Sequence, residues 1–305
     1  MKSQNEIVHR SGFVAVMGRP NVGKSTLINA LLQQNVAAVS PKPQTTRQQQ
    51  LGILSKKNAQ IVFVDTPGIH KPFHKLGELM NIEASRAMEE ADLILLIVDI
   101  TQMPPHKEDI MITELIHQMN GHPNVIMALN KIDLIDDSDL NERQSAYQKL
   151  IPQAITMPIS ASRNVNLDLL NNELINHLPE GPPFYPKNQV TDLYEREIAA
   201  DLIRASALSH LREEVPHAIA IRIDEYKERN DHGAYIAATL FVERESQKGI
   251  VIGEKGKMIK KIGSHARHEI ESMSGRKVFL RLRVKVRKNW RNDDNALKSF
   301  GFQKG

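Results

Sequence analysis

The sequence predicts an α/β chain of two domains, a doubly wound, mostly parallel sheet followed by a smaller α+β domain. Three observations carry this. Short apolar runs alternate with helical patterns as far as Leu178, the pattern of strands covered on both faces. A glycine loop, Gly18-Arg19-Pro20-Asn21-Val22-Gly23-Lys24-Ser25, joins the first apolar run to the first helix. Finally, four prolines fall between Pro179 and Pro186, where neither helix nor strand can continue. The domains are placed at 1–178 and 191–292, with 179–190 as a stiff, extended linker and 293–305 as a polar tail. At 305 residues there is enough chain for a core in each.

Apolar residues make up 41% and charged residues 25%, the mix of a soluble globular chain rather than a membrane or disordered one. No apolar run approaches the ~18 residues of a membrane span. The opening residues MKSQNEIVHRSG lack the apolar core of a secretory signal. With no cysteine there is no disulfide and no thiolate metal site, which fits a reducing cytoplasm. The net charge of +4 is unevenly placed: eight Lys and Arg residues and no carboxylate lie between Ser272 and Asn292. That asymmetry points to a polyanionic partner for the C-terminal part.

Taken in order, Phe13–Met17 reads as a buried strand, and the loop after it matches GxxxxGK[ST] before a helix through Leu32. Gly18 and Gly23 let the backbone turn its N–H groups, those of Val22 to Thr26 included, toward phosphate oxygens. The helix beginning near Lys24 adds its positive dipole end. Lys24 contributes a full charge at the outer phosphates, and the Ser25 hydroxyl is a Mg²⁺ ligand. Ser40 to Arg47, with Pro41 and Pro43, is a loop. Strands follow at Leu51–Ser55 and Ile61–Val64, the second ending in Asp65-Thr66-Pro67-Gly68. A carboxylate at that strand end is placed to hold Mg²⁺, and the Gly68 N–H to approach a terminal phosphate.

A helix over Leu76–Ala91, a strand over Leu93–Val98, a loop at Thr101–Pro105 and a helix over His106–Met119 come next. The strand Val125–Leu129 ends in Asn130-Lys131-Ile132-Asp133. Asp133 can accept from the guanine ring N–H and amine, Asn130 braces the loop, and the Lys131 stem covers the base. A strand at Ile155–Ile159 leads into Ser160-Ala161-Ser162, where the Ala161 N–H is expected to donate to guanine O6. All four motifs fall at the carboxyl ends of strands, where open α/β sheets bind ligands.

From Phe13 to Leu178 the chain resembles the translation-factor class of P-loop GTPases, and GRPNVGKS, QTTR and DTPG together resemble its Era-related branch. The resemblance implies hydrolysis of GTP to GDP with Lys24, Thr46 and Gly68 at the reacting phosphate, and Mg²⁺ held by Ser25, Thr46 and Asp65. Thr46 is chosen because that pattern keeps a threonine directly before the arginine, here Arg47; Thr45 is the fallback. Ile69 stands where Ras-like enzymes carry a glutamine that orients water. Asn21 matches the asparagine of potassium-assisted members, which implies K⁺ beside the phosphates.

Beyond the linker, Thr191–Ser209 reads as an amphipathic helix, with strands at Ala218–Asp224 and Tyr235–Val242. Ile250–Ile252 then runs into Gly253-Glu254-Lys255-Gly256 and a basic helix. Phe279–Val286 alternates, leucine and valine on one face and Arg281, Arg283 and Lys285 on the other. This order of elements resembles the prokaryotic KH domain, whose GxxG loop clamps a single nucleic-acid strand. The implied contacts are Gly253, Glu254, Lys255, Gly256, Lys257 and Lys260, joined by the Arg281, Arg283 and Lys285 face. The two-domain combination resembles the Era family, bacterial GTPases of small-ribosomal-subunit assembly. That implies the 3′ end of small-subunit ribosomal RNA and the small subunit itself as partners, with peripheral association at the cytoplasmic face of the inner membrane. The competing reading is a GTPase signalling switch docked on anionic lipid or a protein, an idea sustained by Trp290 near the basic end.

Overall fold

The computed structural model describes residues 8–34, 37, 47, 49–69, 72–119, 123–193, 195–212, 214–230 and 233–302. Contacts group the chain into two units. The first comprises Met1–Gln33, Gln49–His70 and Glu83–Asp192; the second comprises Gln34–Gln48, Lys71–Ile82 and Leu193–Gly305.

In the first unit, β1 (Arg10–Met17), β2 (Gln50–Ser55), β3 (Ala59–Asp65), β4 (Leu93–Asp99), β5 (Val125–Asn130) and β6 (Ile155–Ile159) form a sheet in the order β2-β3-β1-β4-β5-β6. Every pairing is parallel except β2 with β3. Each residue of β3, β4 and β5 is buried, so the uninterrupted apolar runs are strands sandwiched between helix layers. The helices are α1 (Lys24–Leu32), α2 (Lys75–Glu90, of which Glu83 onward belongs to this unit), α3 (Lys107–His117), α4 (Asp137–Gln148) and α5 (Leu167–His177). Parallel strands pointing the same way bring the loops after β1, β3, β5 and β6 to one edge of the sheet.

The proline-rich stretch, expected as a stiff, extended linker, is strapped to this unit. Proline lacks an N–H but keeps its carbonyl. Pro179 O accepts from Ser11 N and Pro182 O from Ser11 Oγ. The Gln60 side chain accepts from the N–H groups of Phe184 and Tyr185 and donates to Tyr185 O. Val190 O receives Ile53 N, and the Phe184 ring lies 5.0 Å from that of Phe13.

The second unit contains α6 (Glu195–His210), β7 (Ala220–Asn230), β8 (Gly233–Val242), α7 (Glu245–Ile252), α8 (Lys257–Ser274), β9 (Lys277–Val286) and α9 (Asp294–Ser299). Its sheet runs β7-β8-β9, with β7 antiparallel and β9 parallel to β8. Ile270 and Ala266 of α8 and Ile203 of α6 pack on Ile236, Ala238, Leu280 and Leu282 of one sheet face. The stretch expected as a polar tail forms α9, and Leu297 and Phe302 are buried beside Trp290 and Phe241. Its few apolar residues recur at helical spacing, which was enough to fold it back.

Candidate nucleotide site and nucleic-acid interface

Asn130, the last residue of β5, joins three loops. Its Nδ2 donates to Val22 O at 2.7 Å, and its Oδ1 accepts the Ala161 N–H at 3.0 Å. The Ala161 N–H, expected on guanine O6, therefore also braces the loop. Gly23 is held at φ 104°, and a Cβ there would lie 2.4 Å from Asn130 Nδ2, so only glycine permits this junction. The Ser160 hydroxyl donates to Asp133 Oδ1 at 2.6 Å. The carboxylate expected to read the base and the serine of the next loop thus meet, although 27 positions separate them.

At the phosphate end Lys24 is buried, and its ammonium donates to the loop's own carbonyls, Gly18 O at 2.8 Å and Arg19 O at 3.1 Å. Burial lowers its pKa to about 8, with Asp65 opposing the shift. Ser25 Oγ donates to Asp65 Oδ2 at 3.3 Å, so two of the three expected metal ligands lie together. Gln50 Nε2 donates to the same Asp65 oxygen at 3.2 Å, a support that no motif announced. An alcohol and a carboxylate oxygen are the hard donors that Mg²⁺ takes. Gly68 passes close to Pro20, and Ile69 is buried in the core behind the sheet. Thr45 and Thr46 lie outside the described residues.

In the second unit the GxxG segment links α7 to α8 through a short 3-10 turn. Gly253 sits at φ 70°, where a Cβ would come 2.6 Å from Met258 Cβ. Lys255 and Gly256 are also left-handed, which leaves the Glu254 and Lys257 side chains exposed and 3.9 Å apart. Behind this loop a groove runs between α8 and β9, lined by Ile259, Lys260, Gly263, Arg267, Leu280 and Leu282. Arg281, Arg283 and Lys285, expected to join the loop in one clamp, alternate onto the sheet face turned away from α8. Trp290 is fully buried, with its indole N–H donated to Ala218 O at 2.8 Å, so it offers no membrane anchor.

Residues 13–131 match the family described as 50S ribosome-binding GTPase, and residues 214–291 the KH domain family. Over 295 residues the chain is 45% identical to GTPase Era of Ruminiclostridium cellulolyticum, covering 97% of this chain and 98% of that protein. It is 46% identical to GTPase Era of Halothermothrix orenii, with coverage of 97% and 99%. The chain belongs to the Era GTPase family. A crystal structure of Era in complex with MgGDPNP and nucleotides 1506–1542 of 16S ribosomal RNA superposes with a TM-score of 0.91 at 40% identity, covering 97% of this chain and all of that one. A single-residue variant of Aquifex aeolicus Era bound to GDP and AlF4⁻ gives the same TM-score, identity and coverage. As an Era-family protein the chain is a P-loop GTPase with a C-terminal KH domain.

This Era-family site also contains an ionic network that sequence reading missed. Arg19 Nε lies 3.3 Å from Asp109 on α3, and its Nη2 3.7 Å from Asp99 at the end of β4. Asp99 also accepts Lys131 Nζ at 2.6 Å, and the same ammonium donates to Asn21 O at 3.0 Å. Burial raises the Asp109 pKa against the pull of Arg19. At Asp99 burial is outweighed by hydrogen bonds from Lys131 and Thr101, and its pKa falls. The network ties the glycine loop to the loop after β5 through charge. Its only sequence signal was a carboxylate closing an apolar strand, which Asp65 shares.

Proposed function

We propose that this GTPase holds single-stranded RNA in its KH domain, that its target is the 3′ end of small-subunit ribosomal RNA, and that it acts in the cytoplasm in assembly of the small subunit. The observation that carries this is the GxxG turn opening onto an apolar groove with Lys260 and Arg267 on its wall. Glycines allow a nucleic-acid backbone to approach, the apolar floor accepts bases, and the cations meet phosphate. The family relative crystallised with a 16S fragment supports the choice of target.

On the nucleotide side, Asp133 held by Ser160 selects guanine, and the loop N–H groups with Lys24 neutralise the phosphates. Ser25 and Asp65, with Thr46, would hold Mg²⁺, which when bound neutralises phosphate charge. Gly68 offers an N–H at the terminal phosphate. Ile69, apolar and buried, neither accepts a proton nor orients water. This chain therefore lacks a side-chain base at that position, which favours slow intrinsic hydrolysis, with K⁺ at Asn21 supplying charge.

The test is a titration of a labelled oligonucleotide matching the small-subunit RNA 3′ end. Lys255→Asp, which sets a second negative charge beside Glu254, is expected to nearly abolish binding. Unchanged affinity would reduce the GxxG to a helix-entry turn and bring forward docking on lipid or protein.

A further inference from the structure

We infer that the outer face of the second unit's sheet is a second surface for single-stranded nucleic acid, with a base stacked on Phe279 and phosphates on Arg281 and Arg283. The inference rests on the RNA-binding reading of the KH domain and extends it to the side of the sheet opposite the groove.

β9 is an edge strand, so its two faces serve two surfaces. Leu280 and Leu282 turn toward α8 and form the groove wall, Arg281 and Arg283 turn away, and Phe279, stacked on Tyr235 near the start of the strand, borders the groove as well as the outer face. Phe279 is 63% exposed, so its ring is open to a partner. It is also pre-ordered: Tyr235 lies opposite it in register, and the two rings stack at 5.7 Å with an interplanar angle of 13°. Tyr235 covers one side of the ring. On the other side the sheet ends, which leaves a flat apolar surface at the edge where the groove begins.

Next along the strand, Arg281 and Arg283 border a depression with Tyr235, Ala237, Asp224 and Glu225. Both carboxylates are already engaged. Asp224 pairs with Arg222 at 2.8 Å and accepts the Thr239 hydroxyl, and Glu225 pairs with Lys227. Arg281, Arg283 and Lys285 have no ion pair among the described residues. Small Ala237 beside Arg281 keeps the floor low. Two guanidiniums at a two-residue repeat beside a stacked aromatic match the needs of a single strand: phosphates at intervals and an unpaired base to stack. A duplex would present phosphates but no free base face. A nucleic-acid strand leaving the groove has one protein edge to cross, and Phe279 stands on it.

The experiment uses the full chain and labelled RNA of two lengths: a tetranucleotide, the length a GxxG loop clamps, and a strand of about twelve nucleotides. Binding is measured over several salt concentrations for the parent, for Arg281→Ser/Arg283→Ser, and for Lys255→Asp. The double variant is expected to bind the tetranucleotide as the parent does and to lose most of the affinity gained with length. Its log–log salt slope is expected to be shallower by about 0.7 for each contact removed. Phe279→Leu is expected to weaken the longer strand roughly 5- to 150-fold, the range for loss of one stacked base. If the double variant keeps both the parent's affinity for the long strand and its salt slope, the outer face is not a binding surface. If the twelve-nucleotide strand annealed to its complement binds as tightly as the single strand, stacking on Phe279 is refuted. Retained tetranucleotide binding by Lys255→Asp would overturn the GxxG reading instead, and the double variant still decides the outer face.

Discussion

The Ser160 hydroxyl donates to Asp133 Oδ1 at 2.6 Å, so the carboxylate proposed to read guanine is aimed by the loop after β6. Asp133→Asn reverses one donor–acceptor relation with the base and leaves a polar pair unmatched, a cost of about 1–3 kcal/mol. Preference is expected to shift from GTP toward xanthosine triphosphate. Ser160→Ala, which frees the carboxylate to rotate, is expected to weaken GTP and leave the order of preference intact. Competition binding with the two nucleotides checks both, and full GTP selectivity in Asp133→Asn would remove Asp133 from base reading.

Lys24 gives a pH dependence whose sign follows from burial. Its pKa is lowered from 10.5 to about 8, so between those values the unfolded chain binds more protons than the folded one. Stability therefore rises with pH across that window, and the burial cost is fully present below it. Nucleotide binding runs the other way, because phosphate needs the ammonium. GDP affinity is expected to be flat up to about pH 8 and to fall by as much as tenfold per unit above it. A fluorescent-nucleotide titration measures this, with Lys24→Met as a weak, pH-independent control. A flat profile in the parent up to about pH 9.5 would mean Lys24 keeps its ordinary pKa.

The glycine loop, DTPG and NKID were legible because each is a short pattern at a strand end, and chemistry fixes the residue types within a few positions. The alternation of β9 was legible for the same reason. What sequence could not supply were partners far along the chain. Ser11 and Gln60 turn a proline-rich stretch into a strap, and nothing local to Pro179–Pro186 announces them. Arg19 reads as a loop residue until α3 brings Asp109 to it. Trp290 sits among arginines and lysines and looks exposed; Ala218, Phe241 and Leu297 bury it. Alternation also says that arginines share a face without saying which face the helices take. The groove and the arginines therefore came apart only in three dimensions.

Asn21 is exposed and left-handed at φ 66°, and its carbonyl is held by Lys131. A K⁺ ion beside it would supply positive charge where other GTPases use an arginine finger, a device worth about 10³–10⁵ in rate. Hydrolysis is expected to be slow and severalfold faster in potassium than in sodium, and Asn21→Ala to erase the difference. Equal rates in the two salts would exclude the ion. Thr46→Ala is expected to lower the rate in both salts through loss of a Mg²⁺ ligand, and a normal rate would remove Thr46 from the site.

Trp290 tests whether the C-terminal segment is part of the fold. It is fully buried, stacks edge-on against Phe300 at 5.3 Å, and has the Arg47 guanidinium 5.7 Å from its ring. Arg47 is itself buried and donates to Ile219 O at 2.6 Å and His217 O at 3.1 Å, which keeps a cation tolerable there. Trp290→Ala removes a large buried ring and is expected to cost about 3–5 kcal/mol. Trp290→Phe keeps most of the volume but leaves Ala218 O without its donor, for about 1–3 kcal/mol. Deleting 294–305 takes away Leu297 and Phe302 and is expected to fall between the two. Unfolding followed by circular dichroism ranks the three, since loss of the sole tryptophan rules out its fluorescence. A deletion that melts with the parent would return this segment to a solvated tail, and Trp290→Ala melting with the parent would mean the indole is not buried.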